Sequence, residues 1–168
     1  CTSVNSQLMG YTTSPTEEGQ IIGNLGLGCG NPISFANIQH GEAVVDLGCG
    51  AGVDCFLASD LVGSSGSVIG VDMTDNQLAV AKKHLAYHTE KFRFKAPNIT
   101  FHHGYIEDLK SLGIKDNSVD VVTSNCVINL SPNKEAVFSE IFRVLKPGGE
   151  LYFSDVFTGR RVPAVMTN

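Results

Sequence analysis

The chain has 168 residues, 42% of them apolar, and a formal net charge of -5. That size and composition predict one soluble globular domain with a real core and exclude disordered and fibrous classes. The acid excess argues against nucleic acid as the main partner, because phosphate contacts need clustered Lys and Arg, and no apolar run approaches the roughly 18 residues that would predict a membrane span. Residues 1–30 are polar and Gly-rich and read as an irregular lead segment carrying a Cys-bearing loop, with a helical turn near Pro15 to Gln20. Residues 31–168 read as the folded domain. Pro32 suits the first position of a short helix to about Ile38. "EAVVDLG" predicts a strand, and a helix follows from about Val53 to Leu61. "SVIGVD" is the second strand. Thr74 then starts a helix to about His88, with Gln77 placed as in a capping box. "NITFHHG" and "SVDVVTSN" are the third and fourth strands. Ser131-Pro132 opens a helix in which Val137, Phe138, Ile141, Phe142 and Leu145 repeat at helical spacing. "KPGG" stops it, and "ELYFSDVF" is the fifth strand.

Short Val/Ile-rich strands alternating with helices predict an α/β protein with a mainly parallel, doubly wound sheet covered on both faces. Within that frame, "VVDLGCGAGVD" is the strongest local signal. Asp46 ends a strand, and Gly48, Gly50 and Gly52 alternate through the turn into a helix. Such a turn lets backbone approach a ligand closely, and the helix N-terminus adds donors. It lacks the Gly-Lys-Ser/Thr of a phosphate-binding loop and the G-x-G-x-x-G spacing of a dinucleotide fold. Asp72 ends the second strand about 20 residues later, where an acid can accept both hydroxyls of a ribose. After the third strand, Ile106 could flank an adenine and Glu107 meet its polar edge. A glycine loop, a ribose acid and an adenine site without phosphate binders fit S-adenosylmethionine. Taken singly, Asp72 and Glu107 would read as solvated helix-start carboxylates.

The five cysteines (Cys1, Cys29, Cys49, Cys55 and Cys126) include no C-x-x-C pair and suit neither a disulfide scaffold nor zinc. With no export signal, a cytoplasmic protein is expected. Since it begins at Cys1, a fragment or processed piece is expected. "SNCVINLSPN" puts Asn125 and Cys126 at a strand end, where an α/β enzyme usually holds its ligand. Cys49 reads as a small residue of the glycine loop, counted with the cofactor-binding set, and Cys55 as core. His84, His88, His102 and His103 read as surface or packing residues, because no H-E-x-x-H pattern joins them.

Taken together, "NLGLGCGNP", "DLGCGAGVDCFLAS", "VIGVDMT" and "SNCVINLSPNKEAVFSEIFRVLKPGGELYFSD" resemble class I S-adenosylmethionine-dependent methyltransferases, and specifically the arsenite methyltransferases, over roughly residues 24–158. The resemblance implies a Rossmann-like methyltransferase fold truncated after its fifth strand. It implies a cofactor site of Asp46, Gly48, Gly50, Asp72, Met73, Ile106, Glu107 and Asn125. It also implies that Cys29 and Cys126 are catalytic thiolate ligands of trivalent arsenic, a soft atom for which sulfur is the matching donor. Arsenic would attack with its own lone pair, so no general base is needed. Relatives carry a further arsenic-binding Cys after the fifth strand, which this chain lacks. Two other functions stay open: methylation of a carbon, oxygen or nitrogen acceptor, and non-catalytic binding of the cofactor or a metalloid. The fifth strand is expected to be an exposed edge, covered by a second copy in a homodimer or by the chain's own terminus.

Overall fold

The computed structural model describes residues 30–157. Four helices and five strands follow one another in the expected alternation: α1 (Pro32–Phe35), β1 (Ala43–Leu47), α2 (Val53–Val62), β2 (Ser67–Asp72), α3 (Asp75–Lys91), β3 (Ile99–His103), β4 (Val119–Asn125), α4 (Lys134–Val144) and β5 (Leu145–Ser154). All strand pairings are parallel, in the order β3-β2-β1-β4-β5. The chain winds outward from β1 through β2 to β3, then returns across the sheet to β4 and β5. The strand order therefore reverses between β1 and β4, the place where open α/β sheets hold ligands beyond their carboxyl ends.

Alternation along the strands divides the core into two layers. Val44, Val68 and Val121 pack with Phe56, Ala58 and Val62 of α2 and with Leu78 of α3. On the other face, Val45, Leu47, Val71 and Val122 meet Val137, Ile141 and Val144 of α4, together with Ile106, Leu109 and Ile114 from the irregular β3–β4 connection. Asp46 lies between Val45 and Leu47 and so shares the α2 face with Val44.

Several boundaries differ from the sequence reading for identifiable reasons. The α1 helix ends at Phe35, one turn long, with Asn31 as its side-chain cap. At α3 the Thr74 side chain makes no capping bond, and the Thr74 N–H donates instead to Asp72 Oδ1 at 2.8 Å. The α4 helix starts three residues after Ser131, because Asn133 supplies its cap by accepting from the Ala136 N–H at 3.1 Å. On α4 only part of the expected apolar face is inside. Val137 and Ile141 are buried with Val144, whereas Phe138 is 41% and Phe142 84% exposed. Finally, "KPGG" does not separate α4 from β5. It bulges within the strand, where pairing jumps from Val119↔Leu145 to Val121↔Glu150.

Candidate active site

Register alone gathers most of the expected residues on one edge of the sheet. Leu47 pairs with Val71 and with Ser124, so the glycine loop, Asp72 and Asn125 leave adjacent strands side by side. Asp72 pairs with His103, which brings the segment holding Ile106 and Glu107 to the same edge.

The loop after β1 is held by the end of β2: the N–H groups of Gly48 and Cys49 both donate to the Val71 carbonyl, at 2.8 and 3.0 Å. Gly48 has φ +73°, and a Cβ there would sit 2.3 Å from a methyl of Val127. Only glycine fits both the left-handed backbone and that contact. The loop therefore touches the segment immediately after Cys126. A Cβ at Gly50 would meet nothing nearer than Gln77 Oε1 at 4.0 Å. That oxygen is buried and has no hydrogen-bond partner among the described residues. The backbone of the loop is thus open beside Gly50, with an unused acceptor next to it.

Asp72 is half-buried and accepts from the Gly50 N–H through Oδ2 and from the Thr74 N–H through Oδ1, each at 2.8 Å. A carboxylate has about four acceptor positions, so each oxygen keeps capacity for a ligand hydroxyl. Met73 is 64% exposed beside it, and its carbonyl lies 2.9 Å from His103 Nε2. Ile106 is buried. Glu107 accepts a short hydrogen bond from the Ser131 hydroxyl, which ties the segment after β3 to the segment after β4 across the switch point.

Asp46 is buried at the end of β1. It accepts from Thr123 Oγ1 at 3.0 Å and from the Cys55 thiol at 3.5 Å. Burial, and then the neighbouring Asp54 carboxylate, pushes its carboxyl up to about 8, against the opposing pull of the Thr123 and Cys55 hydrogen bonds. Cys49 and Cys55 are free and buried. Both sulfurs lie within 3 Å of the place a Cβ would take on Gly70 (2.9 and 2.8 Å), so they fill space under the loop. Burial raises the Cys55 thiol well above its usual range. The Cys49 thiol is also raised: a hydrogen bond with Cys55 works against the shift, and burial and Asp46 outweigh it. His88 is buried and stacked on Phe56 with ring centroids 4.0 Å apart, a packing residue as expected.

Cys126 follows β4 directly, with φ +60°, a left-handed conformation rare for a residue with a side chain and typical of functional sites. Its N–H donates to the Ser154 carbonyl at 2.8 Å. It is disulfide-bonded, and neither free cysteine, Cys49 nor Cys55, is its partner. Cys29, the other expected sulfur ligand, lies outside the described residues. Asn125 is engaged by Gly30, Ser154 and Asp54. Sequence reasoning missed Asp54, Thr123, Ser131 and Ser154, whose partners are distant in sequence. The "SPN" turn was the one local hint of Ser131.

A Rossmann-type parallel sheet whose switch point carries a glycine loop, a strand-end carboxylate and an open adjoining edge is the frame of a nucleoside-binding domain of the α/β class. The family model described as "Methyltransferase domain" matches residues 38–168, and the chain belongs to that family. It is similar to the arsenite methyltransferase of Aquipseudomonas alcaligenes, 58% identical over 135 residues that are 80% of this chain and 38% of that protein. The arsenite methyltransferase of Homo sapiens is 58% identical over 120 residues, 71% of this chain and 32% of its own length. A crystal structure of an arsenic(III) S-adenosylmethionine methyltransferase from Chlamydomonas reinhardtii superposes with a TM-score of 0.79 at 52% identity, covering 83% of this chain and 46% of that one. The chain thus spans roughly a third of the curated relatives it matches. Among the described residues, no helix is long and apolar enough to cross a membrane.

Proposed function

We propose that this chain is the cofactor-binding core of a methyltransferase that moves a methyl group from S-adenosylmethionine to thiol-bound trivalent arsenic. The observation that carries the reading is the placement of Cys126: a strained, strand-end cysteine whose next residue, Val127, packs on the glycine loop at Gly48. A soft ligand on that sulfur would stand beside whatever the loop holds.

The residues present suit the cofactor. Spare acceptor capacity on Asp72 matches ribose hydroxyls, the exposed backbone of Gly50 with the orphaned Gln77 oxygen suits a polar tail, and buried Ile106 offers an apolar wall for a base. When bound, S-adenosylmethionine supplies an electrophilic sulfonium methyl. The protein's part is to fix arsenic in line with that methyl, and positioning of this kind supplies about 7–11 kcal/mol. With the cofactor bound, Cys126 would hold arsenic so that its lone pair faces the methyl, and the electron pair of the S–CH3 bond would remain with the cofactor's sulfur. No proton would move in that transfer, so it needs no general base.

Cys29 and Cys126 are the two sulfurs assigned to arsenic. Two protein thiolates match methylarsenite, which has two exchangeable positions, better than arsenite, which has three. A methyl-transfer assay with both arsenicals, with and without excess thiol, tests the reading. Methylarsenite should be the better substrate without thiol, and Cys126→Ser should abolish turnover because a hydroxyl is a poor ligand for so soft an atom. Equal rates without thiol, or an active Cys126→Ser protein, would refute it.

A further inference from the structure

Glu107 follows β3 and Ser131 follows β4, and in the sheet order β2 and β1 lie between those two strands. The hydrogen bond between Glu107 and Ser131 therefore spans the strand ends that carry Asp72 and the glycine loop. Ser131 is 6% exposed, and each of its polar atoms has a defined partner. Its N–H donates to the Ile128 carbonyl at 3.2 Å, and its own carbonyl accepts from Lys134 Nζ at 3.0 Å. Oγ accepts from the Asn133 N–H at 3.1 Å, and the hydroxyl proton goes to Glu107 Oε1 at 2.5 Å. Glu107 is half-buried. Its second oxygen, Oε2, has no hydrogen-bond partner among the described residues and stays open to solvent.

We propose that Ser131 is a positioning residue that sets the base specificity of the site: its hydroxyl pins one oxygen of Glu107 and so presents the other to the 6-amino group of a purine. This rests on the cofactor reading above, with Ile106 as the wall of the base and Glu107 at its polar edge. A carboxylate only accepts hydrogen bonds, so the free oxygen pairs with an amino group and gains nothing from a base that lacks one. Without the pin, the carboxylate would swing out to water and the distinction would fade. The single proton of Ser131 also fixes polarity. An amide in place of the carboxylate would give its carbonyl oxygen to that proton and turn its NH2 toward the base, where it would meet the 6-amino group donor to donor.

Calorimetry with S-adenosylhomocysteine, and with its analogue carrying hydrogen in place of the 6-amino group, reads this directly. The parent chain should prefer the amino form by about tenfold or more, and Ser131→Ala should lose most of that preference. Glu107→Gln should lose it too, because the pinned amide presents its NH2. Adding Ser131→Ala to Glu107→Gln should then restore part of the preference, since the released amide can turn its oxygen to the amino group. A purely structural role for Ser131 would make that double variant worse, not better. Asn133→Ala removes the side-chain cap of α4 and keeps the backbone N–H that Ser131 accepts, so it should lower Tm and leave the preference in place. Parental preference in Ser131→Ala overturns the proposal. Parental preference in Glu107→Gln does the same, and decides the matter alone if Ser131→Ala does not fold. A parent that binds both forms equally sinks the base assignment and leaves cofactor binding standing, whereas one that binds neither sinks the cofactor reading and this inference with it. Neither an arsenical nor turnover enters the readout, so failure of the arsenic chemistry is told apart from both.

Discussion

Asp46 shows how one buried acid makes this core sensitive to pH. Its carboxyl is 2% exposed and pushed up to about 8 by burial and then by Asp54. An unfolded chain releases that proton near the ordinary value of 3.8. Between those limits the folded state binds more protons than the unfolded one, so stability falls as pH rises through the window. The full effect is on the order of a few kcal/mol. Asp46→Asn cannot ionise and keeps an acceptor for the Thr123 hydroxyl. Its urea midpoint is expected to stay flat from about pH 5 to pH 8 while that of the parent declines. An equally steep decline in the variant would place the titrating group elsewhere. The sequence marked Asp46 as a strand-end acid, but not as a protonated one. Its burial depends on Asp54, Cys55 and Thr123 converging from α2 and β4, a proximity without local signature. Asn125 was hidden in the same way, its partners being Gly30, Asp54 and Ser154.

At the scale of elements, legibility followed how local the determining interaction was. The β2 strand, a Val/Ile run bounded by glycine and a turn, has the predicted limits, and the glycine loop after β1 is where its pattern placed it. In α4 two apolar stripes lie side by side, and periodicity alone cannot say which meets the sheet. The helix turns Val137, Ile141 and Val144 inward and leaves Phe138 and Phe142 out. The expected capping box at α3 failed because Asp72 binds the Thr74 N–H, a competition the local motif does not contain. The contact of Gly48 with Val127 joins the cofactor loop to the segment after Cys126, and it yields a specific expectation. Gly48→Ala would put a methyl within 2.3 Å of Val127 at φ +73°, so the loop must move. Such left-handed strain costs about 1–3 kcal/mol. The expected outcome is weakened S-adenosylmethionine binding, and Gly48→Ala combined with Val127→Gly should recover part of the loss by removing the clash, since the Val127 Cβ itself would stand 2.7 Å away, while leaving the φ strain. Full recovery in the double variant would mean that the backbone angle is not strained there.

At the scale of the whole molecule, the strand order places β1 and β4 at the centre and leaves β3 and β5 as edges. Among the described residues β5 has no strand on its outer side. Its neighbourhood is strongly apolar: Phe153 stands 6.2 Å from Phe138 and 6.0 Å from Phe157, measured between ring centroids. Phe142 is 84% and Phe157 69% exposed on the same side. Unpaired strand edges flanked by exposed aromatic rings recruit another chain unless charge or proline blocks them. Pro147 guards only the bulged start of β5, and beyond it the edge is weakly guarded, since Lys146 is paired with Asp120 at 2.7 Å and Glu150 accepts from the Tyr152 hydroxyl at 2.9 Å. We therefore expect the 168-residue chain to self-associate through this edge as its concentration rises, giving a dimer in sedimentation equilibrium. Phe142→Glu with Phe157→Glu should shift that equilibrium toward monomer, because like charges would face each other across a symmetric contact. Neither ring is among the residues expected to hold the cofactor, so cofactor affinity should not change with the pair. A parent chain that stays monomeric at high concentration would show that the edge is covered from within. Loss of cofactor binding in the Glu pair would instead tie association to the integrity of the site.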